Sequence, residues 1–326
     1  MNELTTNHGG IAQASTDPLI IAAYIESLDA CDKTRETYTR ALRQWRSFLT
    51  LTGCTIMTAT RQTVLDYKQQ LKEQGKSAAT INTYLSAVRG LYATLEAEGI
   101  KPNIAASVKG IKRAQNTPKE ALTIEQARRI LTPPTDGATL EELRNFAIVT
   151  LLTRRGLRTV EAARANICDI RQVGGQAVLY LRGKGYGGAQ SGFVVLGETC
   201  LCPLYAYLKA RGETDTTAPL FASIGNRNHG GRMTTRTISR IAKTALEANG
   251  INSPTITAHS LRHTAVTLAL IGGASLQEVQ AMARHSSINT TMIYAHNLRR
   301  MEAGAEHALD ELVEGYPCKE VKVCSR

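Results

Sequence analysis

Apolar side chains in the first hundred residues recur every three or four positions, which is the spacing of a helix that buries one face. The clearest stripe places Tyr38, Leu42, Trp45 and Leu49 together, and Gly53 follows as a stop signal. The pattern predicts four helices with short turns: one that begins at Asp17 as its cap with Pro18 as its first residue, and three at about 34–52, 61–73 and 77–98.

This periodicity is lost between residues 99 and 119, where prolines, glycines and basic residues fall together. Such a composition predicts an extended, basic interdomain linker at 101–119 that could lie along a phosphate backbone. The predicted organisation is a flexible tail at 1–16, a helical domain at 17–100, this linker, a second domain at 120–314 and a tail at 315–326.

Helical spacing returns after the linker, and Thr123 with Gln126 fits a capping box at the first new helix. Residues 177–196 differ, because two alternating, β-prone runs flank a glycine-rich turn and predict a hairpin. The predicted helices lie at about 124–131, 139–154, 159–165, 199–211, 234–248, 259–271, 275–284, 288–296 and 298–313. The expected fold class is mainly α: a four-helix domain plus a mixed, mostly helical domain with a small β-sheet.

Composition and charge narrow the classes of function. The 326 residues are 43% apolar and carry a net charge of +11, which suits a folded chain with a polyanionic partner. No apolar run reaches the roughly 20 residues of a membrane span, and the polar start carries no secretion signal. The seven cysteines lack paired zinc-ligand spacing. We therefore expect reduced thiols, no bound metal, no membrane partner and a cytoplasmic location.

Basic residues on the second and fourth predicted helices form a candidate nucleic-acid surface. These helices could face a groove, with hydroxyl groups near phosphates at a helix N-terminus. Charges of this kind also occur on ordinary solvated helix faces, so both interpretations stay open. The candidate DNA-binding residues are Arg35, Arg43, Lys76, Ser77, Thr80 and Arg89.

Two stretches of the second domain place cationic side chains where neither a core nor a plain surface needs them. Glu161 follows Arg158 by one helical step, so the carboxylate could orient the guanidinium or form only a surface ion pair. Lys184 lies in the glycine-flanked tip of the hairpin, where it could meet a bound phosphate or simply be solvated.

Histidines provide the next candidates. His259 and Arg262 share a face near a helix start, which places a proton-exchanging ring beside an anion-binding guanidinium. His259 and His263 have a metal-ligand spacing, but no third ligand stands at a telling distance. His285 precedes Tyr294 by nine residues across a predicted helix break; a capping histidine and a buried tyrosine are the alternatives there.

Together these side chains could transfer a phosphoryl group without a metal. Two guanidiniums would neutralise the phosphate charge, each donor contributing about 3 kcal/mol, and Tyr294 would be the nucleophile. A phenol, whose pKa is about 10, also leaves more readily than a sugar hydroxyl. The covalent step could therefore reverse without ATP, and we expect no cofactor.

This ordered set of residues resembles the motif of the tyrosine recombinases, the family of phage integrases and Xer-type enzymes, and the resemblance extends over about residues 17–313. The set is Arg158, Lys184, His259, Arg262, His285 and Tyr294. The resemblance implies that both arginines bind the scissile phosphate, that the lysine protonates the leaving 5′ oxygen, and that the first histidine is an acid and base near the tyrosine. The second histidine would hydrogen-bond the phosphate, and the tyrosine would become linked to the 3′ phosphate.

The resemblance also implies a SAM-like core-binding fold for the first domain and a clamp of both domains around double-stranded DNA recombination sites. A homotetramer, built as two dimers, would exchange strands through a Holliday junction while the last helix docks on a neighbouring protomer. We expect a site-specific recombinase that integrates or excises a mobile element. An accessory factor that sets the direction of the reaction is a possible further partner. The alternatives are Xer-like dimer resolution, a type IB topoisomerase and a non-catalytic DNA-binding regulator.

The sequence departs from the family pattern in two places. Arg284 stands directly before the second histidine motif, where the family usually has glycine, so the local helix end is open. The hairpin after Lys184 has few basic residues. We also expect a two-domain enzyme without an arm-site domain, because the stretch before residue 17 is short.

Overall fold

The computed structural model describes residues 16–112, 120–182, 192–302, 309 and 312–313. The chain divides into two units, Met1–Asn116 and Thr117–Arg326. Both units consist mainly of helices, and the second also contains a small antiparallel sheet, which confirms the predicted fold class. Within the described ranges, no helix combines the length and the apolar character that crossing a membrane requires.

The described part of the first unit contains the four predicted helices. They are α1 (Asp17–Ser27), α2 (Asp32–Leu51), α3 (Arg61–Glu73) and α4 (Ala78–Ala97). The predicted cap of α1 is wrong, because Thr16 holds the cap position without a side-chain hydrogen bond and Asp17 begins the helix. Asp17 is buried, and its carboxylate accepts a hydrogen bond from the Ile56 N–H at 3.1 Å. The cap signal therefore marks a tertiary contact.

Trp45 lies at the centre of the first unit's core. It is fully buried, and its ring centroid lies 5.0 Å from that of Tyr67 and 6.4 Å from that of Tyr92, in edge-to-face arrangements. Of the predicted stripe on α2, Leu42 is also buried, whereas Tyr38 is only half-buried. The aromatic cluster joins α2, α3 and α4 into one core.

The predicted interdomain linker is wrong in its first part, because residues 104–111 pack on the first unit. Ala105 and Val108 are buried in its core. The Asn82 amide donates to the Ile111 carbonyl at 2.9 Å, and its oxygen accepts from the Ile111 N–H at 2.8 Å. A Cβ on Gly110 would lie 2.6 Å from that amide oxygen, so only glycine permits this pairing without a shift.

The described part of the second unit contains eight α-helices and three strands. They are α5 (Ile124–Ile130), α6 (Leu140–Arg154), α7 (Thr159–Arg164), β1 (Ile170–Val173), β2 (Gln176–Leu181), β3 (Gly192–Val195), α8 (Glu198–Arg211), α9 (Thr235–Ala248), α10 (Ala258–Ile271), α11 (Leu276–Ala283) and α12 (Ile288–Glu302). The capping box at the start of α5 is present as predicted. The largest core of the molecule lies among α6, α8, α9 and the sheet.

The sheet has the order β1-β2-β3, and both pairings are antiparallel. Leu179 lies opposite Ile170 on one side and Val194 on the other. The predicted hairpin corresponds to β2 and β3, while its tip at 183–191 lies outside the described residues. β1 was not predicted, since three of its four residues are exposed and give no apolar alternation.

The predicted break between helices 288–296 and 298–313 is wrong, because α12 continues without interruption to Glu302. Asn297 stands at the predicted break. Asparagine is a weak helix former, but its cost of at most about 0.7 kcal/mol does not stop a helix as proline would. Most of the remaining stretch of the predicted last helix lies outside the described residues.

Candidate active site

Five of the six predicted catalytic residues come together in the second unit, and they form what we call the active-site cluster. Its members are Arg158 before α7, His259 and Arg262 in the first turns of α10, His285 between α11 and α12, and Tyr294 in α12. The sixth, Lys184, lies outside the described residues.

Glu161 in the first turn of α7 holds Arg158. The Arg158 guanidinium donates from Nη1 to Glu161 Oε1 at 2.8 Å, and its backbone N–H donates to Oε2 at 2.7 Å. Glu161 is 0% exposed, whereas the Arg158 side chain keeps 36% of its surface in solvent. The alternative of a surface ion pair is therefore wrong. A buried carboxylate anchors a guanidinium that solvent or a ligand can still reach.

Arg262 is buried and donates hydrogen bonds to the carbonyl oxygens of Gly156 and Ala283. Gly156 has a φ of 58°, in the left-handed region that favours glycine, and this turn aims its carbonyl at the guanidinium. Burial, and then repulsion from Arg158 and Arg284, lowers the pKa of Arg262 to about 9. Arg262 therefore remains a cation at neutral pH, held in place by backbone carbonyls.

The Tyr294 phenol lies among histidine rings. Its hydroxyl is hydrogen-bonded to His263 Nδ1, and the two ring centroids are 5.2 Å apart. The His285 ring lies nearly parallel to the phenol, with 6.4 Å between centroids and 10° between planes. Burial raises the pKa of Tyr294, and Arg262 partly opposes this shift. The phenol is thus protonated at neutral pH and needs a proton acceptor in order to attack.

His263 is the residue at the phenol that the sequence analysis did not assign to catalysis. Its ring lies edge-on to His259, with 4.4 Å between centroids. The sequence offered only a metal-ligand spacing for this pair, and no group of three or more His, Cys, Asp or Glu side chains in the described ranges is arranged to hold a metal ion. The sequence could have indicated this neighbour, because the four-residue spacing of His259 and His263 on a helix places both rings on one face.

His285 is a neutral histidine at pH 7. Its Nδ1 is hydrogen-bonded to Thr291 Oγ1 at 2.9 Å, and Thr291 is fully buried. Burial lowers the pKa of His285 to about 4, and repulsion from Arg262 and Arg158 adds to the effect. The neutral ring can donate one hydrogen bond and accept another.

This shift predicts a pH-dependent stability. Between about pH 6.5 and about pH 4 the unfolded chain binds a proton at His285 that the folded chain does not, so the free energy of unfolding falls as the pH falls. At pH 5 the loss is at most about 2 kcal/mol relative to pH 7. We expect the thermal midpoint to fall more between these pH values in the parent protein than in His285→Gln. Equal falls in both proteins would contradict the prediction.

Arg284 ends α11 in a left-handed conformation. Its φ is 54° and its ψ is 48°, and among the described residues it is the only non-glycine with a positive φ. This conformation costs an ordinary residue roughly 1–2 kcal/mol, which accounts for glycine as the usual residue at such an end. The helix end left open by the sequence is thus resolved: α11 ends at Ala283, and Arg284 adopts the glycine-like conformation.

The Arg284 guanidinium turns inward to Glu161. It donates from Nη2 to Oε2 at 2.8 Å and from Nε to Oε1 at 3.3 Å, and only 9% of its side chain is exposed. Burial opposes ionisation of Glu161, but the charge of Arg284 and the hydrogen bonds from Arg284 and Arg158 outweigh it and lower the pKa. Glu161 is therefore a carboxylate shared by two guanidiniums.

Two candidate DNA-binding arginines also make contacts inside the first unit. Arg35 donates to the Leu28 carbonyl at 2.7 Å, and Arg89 donates to the carbonyl of Val108 in the packed segment. A guanidinium has five N–H donors, so neither contact occupies all of them. Both residues stay predictions as DNA contacts.

The other candidates lie at the start of α4 and on α2. Ser77 caps α4, since its hydroxyl accepts from the Thr80 N–H at 3.2 Å and lies 2.9 Å from the Thr80 hydroxyl. Capping of α4 is a sufficient reason for hydroxyl side chains at Ser77 and Thr80, without any contact to DNA. Arg43 and Lys76 are exposed. DNA contact by these four residues also stays a prediction.

Each unit matches a family model, and both models describe domains of phage integrases. The first unit matches the SAM-like N-terminal domain of phage integrases over residues 21–99, and the second matches the phage integrase family over residues 120–301. The second match alone spans more than half of the chain. The chain therefore belongs to the phage integrase family and is a tyrosine-type site-specific recombinase.

Individual relatives extend the likeness over most of the chain. Tyrosine recombinase XerD of Rhizobium meliloti is 29% identical over 310 residues, which cover 90% of this chain and 95% of that protein. Tyrosine recombinase XerC of Pelobacter propionicus is 32% identical over 286 residues, 87% of each chain.

Solved structures share the fold. XerH recombinase in a post-cleavage complex with palindromic difH substrate has a TM-score of 0.72 at 20% identity, over 91% of this chain and 85% of that chain. Lambda integrase, as a tetramer bound to a Holliday junction, has a TM-score of 0.65 at 19% identity, over 85% of this chain and 76% of that chain.

Proposed function

We propose that this recombinase cuts and rejoins double-stranded DNA through Tyr294. The observation that carries the proposal is the active-site cluster itself: a phenol lies next to histidine rings and cationic guanidiniums that come from separate stretches of the second unit. Preorganised cations bind a phosphodiester, and they stabilise the charge that develops when an oxygen nucleophile attacks it.

In the first step the phenolic oxygen attacks the scissile phosphorus, the bond from phosphorus to the 5′ oxygen breaks, and Tyr294 becomes linked to the 3′ phosphate. The phenolic proton passes to a histidine, and His263 Nδ1 is the ring nitrogen in contact with the hydroxyl. We assign the proton for the leaving 5′ oxygen to Lys184. In the reverse step a 5′ hydroxyl gives its proton to Lys184 and attacks the same phosphorus, the bond to the phenolic oxygen breaks, and the histidine returns its proton to Tyr294, so the strand is resealed without ATP.

The remaining members of the cluster bind and polarise the phosphate. Arg158 keeps an accessible side while Glu161 anchors it, and buried Arg262 offers a fixed positive charge. If the Thr291 hydroxyl donates to His285 Nδ1, the proton of the neutral ring is on Nε2, where it can donate to a phosphate oxygen. His259 is exposed one turn before His263 and would act as acid and base with it.

We assign the reaction to integration or excision of a mobile element, by a homotetramer of two dimers on paired DNA sites with an accessory factor for direction. Lambda integrase on a Holliday junction and the Tn1549 transposon integrase with circular intermediate DNA support this assignment by their fold, at TM-scores of 0.65 each. Xer-like dimer resolution is the second candidate. It is favoured by the XerD and XerC relatives, at 29% and 32% identity over most of the chain.

One experiment tests the reaction and its role. Covalent adducts are captured on fragmented genomic DNA of the source organism, their sequences are mapped, and two copies of the site are placed on a supercoiled plasmid. Recombinant plasmids are the expected result. Relaxation without recombinants would contradict recombination and indicate a topoisomerase, and a mapped site in the replication terminus instead of at element ends would favour dimer resolution.

The proposed chemistry also predicts resistance to chelators. Strand cleavage should proceed at an unchanged rate in excess EDTA, because the charge of the phosphate is met by guanidiniums. The measurement is adduct formation on a nicked DNA with and without EDTA. A loss that Mg²⁺ or Zn²⁺ restores would contradict the metal-independent mechanism and return attention to His259 and His263.

A further inference from the structure

Three guanidiniums meet the C-terminal end of α11. Arg284 donates to the carbonyl of Met282, Arg262 to that of Ala283, and Arg158 Nη2 to that of Arg284 at 3.1 Å. The last carbonyls of a helix have no partner within it and carry its partial negative charge, so they are natural acceptors for cations. Two consecutive carbonyls therefore orient the two arginines that we assign to the phosphate.

The direction of these carbonyls depends on the backbone at Arg284. Its left-handed conformation turns the chain out of α11, and the turn continues directly into His285 and α12. A glycine would adopt this conformation without strain. Contacts of the arginine side chain that a glycine lacks can offset this strain.

The Arg284 side chain supplies those contacts by tying the turn to the opposite side of the site. Its guanidinium binds both oxygens of Glu161, and Nη2 also donates to the Gly156 carbonyl at 3.2 Å. Gly156 and Glu161 are the same groups that hold Arg262 and Arg158. The Arg284 side chain thus connects Gly156 and Glu161, the groups that hold the other two arginines, to the end of α11.

We propose that Arg284 is a positioning residue for strand cleavage, an inference that rests on the proposed function. Its guanidinium joins the end of α11 to Glu161 and Gly156, so that the carbonyls of residues 283 and 284 hold Arg262 and Arg158 in the geometry that binds the scissile phosphate. It also shares the charge of Glu161, which leaves more of the Arg158 charge for the phosphate. Arg284 itself touches neither the DNA nor the phenol in this role.

Three substitutions separate the side chain from the backbone. Arg284→Gly removes the guanidinium and relieves the strain, Arg284→Ala removes the guanidinium and keeps the strain, and Arg284→Lys keeps a charge without the two-pronged geometry. DNA affinity, the single-turnover cleavage rate at saturating protein and the thermal midpoint are measured for each on a nicked substrate.

We expect Arg284→Gly to fold with a thermal midpoint close to that of the parent and to bind DNA within about 3-fold of it, while cleavage slows by about 10- to 100-fold, the effect of misplaced catalytic groups. Ala should show the same slow cleavage with a lower midpoint, and Lys should recover only part of the rate. In a Glu161→Gln background, Arg284→Gly should add little further loss, because the two residues act through one contact.

Two kinetic results would overturn the inference: parent-like cleavage by Arg284→Gly, or losses that are fully additive with Glu161→Gln and follow the thermal midpoint. A second measurement needs no catalysis. Side-chain ¹⁵N–¹H signals of Arg158 and Arg262 should lose their protection in Arg284→Gly, and retained protection would also overturn the inference. If the parent protein forms no adduct, the proposed function fails, and these signals still decide the role of Arg284.

Discussion

Tyr294→Phe is expected to bind DNA like the parent protein and to form no covalent adduct. The substitution removes only the phenolic oxygen, and the side chain still packs against the buried cluster that Val266, Val279 and Ala283 form. The bond from phosphorus to the 5′ oxygen therefore stays intact, because no other group in this position can replace the nucleophile. The measurement is the slow-migrating protein–DNA band on a denaturing gel with a nicked suicide substrate.

Tyr205→Phe is the matched control for this experiment, since Tyr205 is an exposed tyrosine of α8 in the same unit. The control should form the adduct at the parent rate. An adduct that persists in Tyr294→Phe would show that a different residue attacks the phosphate, and the proposed reaction would then be wrong at its first step.

Arg262→Lys is expected to slow cleavage by about 10²–10³-fold, the cost of about 2.7–4 kcal/mol that follows loss of one preorganised donor. Lysine keeps the charge but cannot reach the Gly156 and Ala283 carbonyls in the fork geometry of a guanidinium. The single-turnover cleavage rate at saturating protein isolates this effect from DNA affinity.

Arg232→Lys controls for the general cost of changing an arginine that binds backbone carbonyls. Arg232 donates to the carbonyls of Ala163 at 3.0 Å and Ala165 at 3.2 Å in the same unit, and it is outside the active-site cluster. Its substitution should leave the cleavage rate within about 3-fold of the parent. Equal losses in both variants would show that Arg262 acts through stability alone.

Much of the helical framework follows from local sequence. The stripe through Leu42, Trp45 and Leu49 becomes the buried face of α2, and the capping box at Thr123 opens α5. Features that depend on distant contacts were missed. The burial of Ala105 and Val108 needs a surface built by earlier helices, and β1 exists because β2 lies beside it. Helical periodicity carries no information about such partners.

The active site was predictable to a different degree. The ordered motif predicted Arg158, Arg262 and Tyr294 as site residues, and the structure brings them into one cluster. Their surroundings were not predictable, since the pair of Arg284 with Glu161 joins residues 123 positions apart. His263 was noted only for the metal-ligand spacing that it shares with His259, because the phenol that it contacts lies 31 positions further on. Spacing within one helix shows which residues share a face, and only the fold shows what that face meets.

The packed segment 104–111 determines where a chimaeric protein made from this recombinase and a relative should be joined. A chimaera that exchanges first units would be joined most naturally after α4, the last helix predicted for this unit. Such a junction would import foreign residues in place of Ala105, Val108 and the Ile111 backbone that pairs with Asn82. The transplanted portion must instead extend to residue 112, so that the donor helices keep the strip of chain that closes their core.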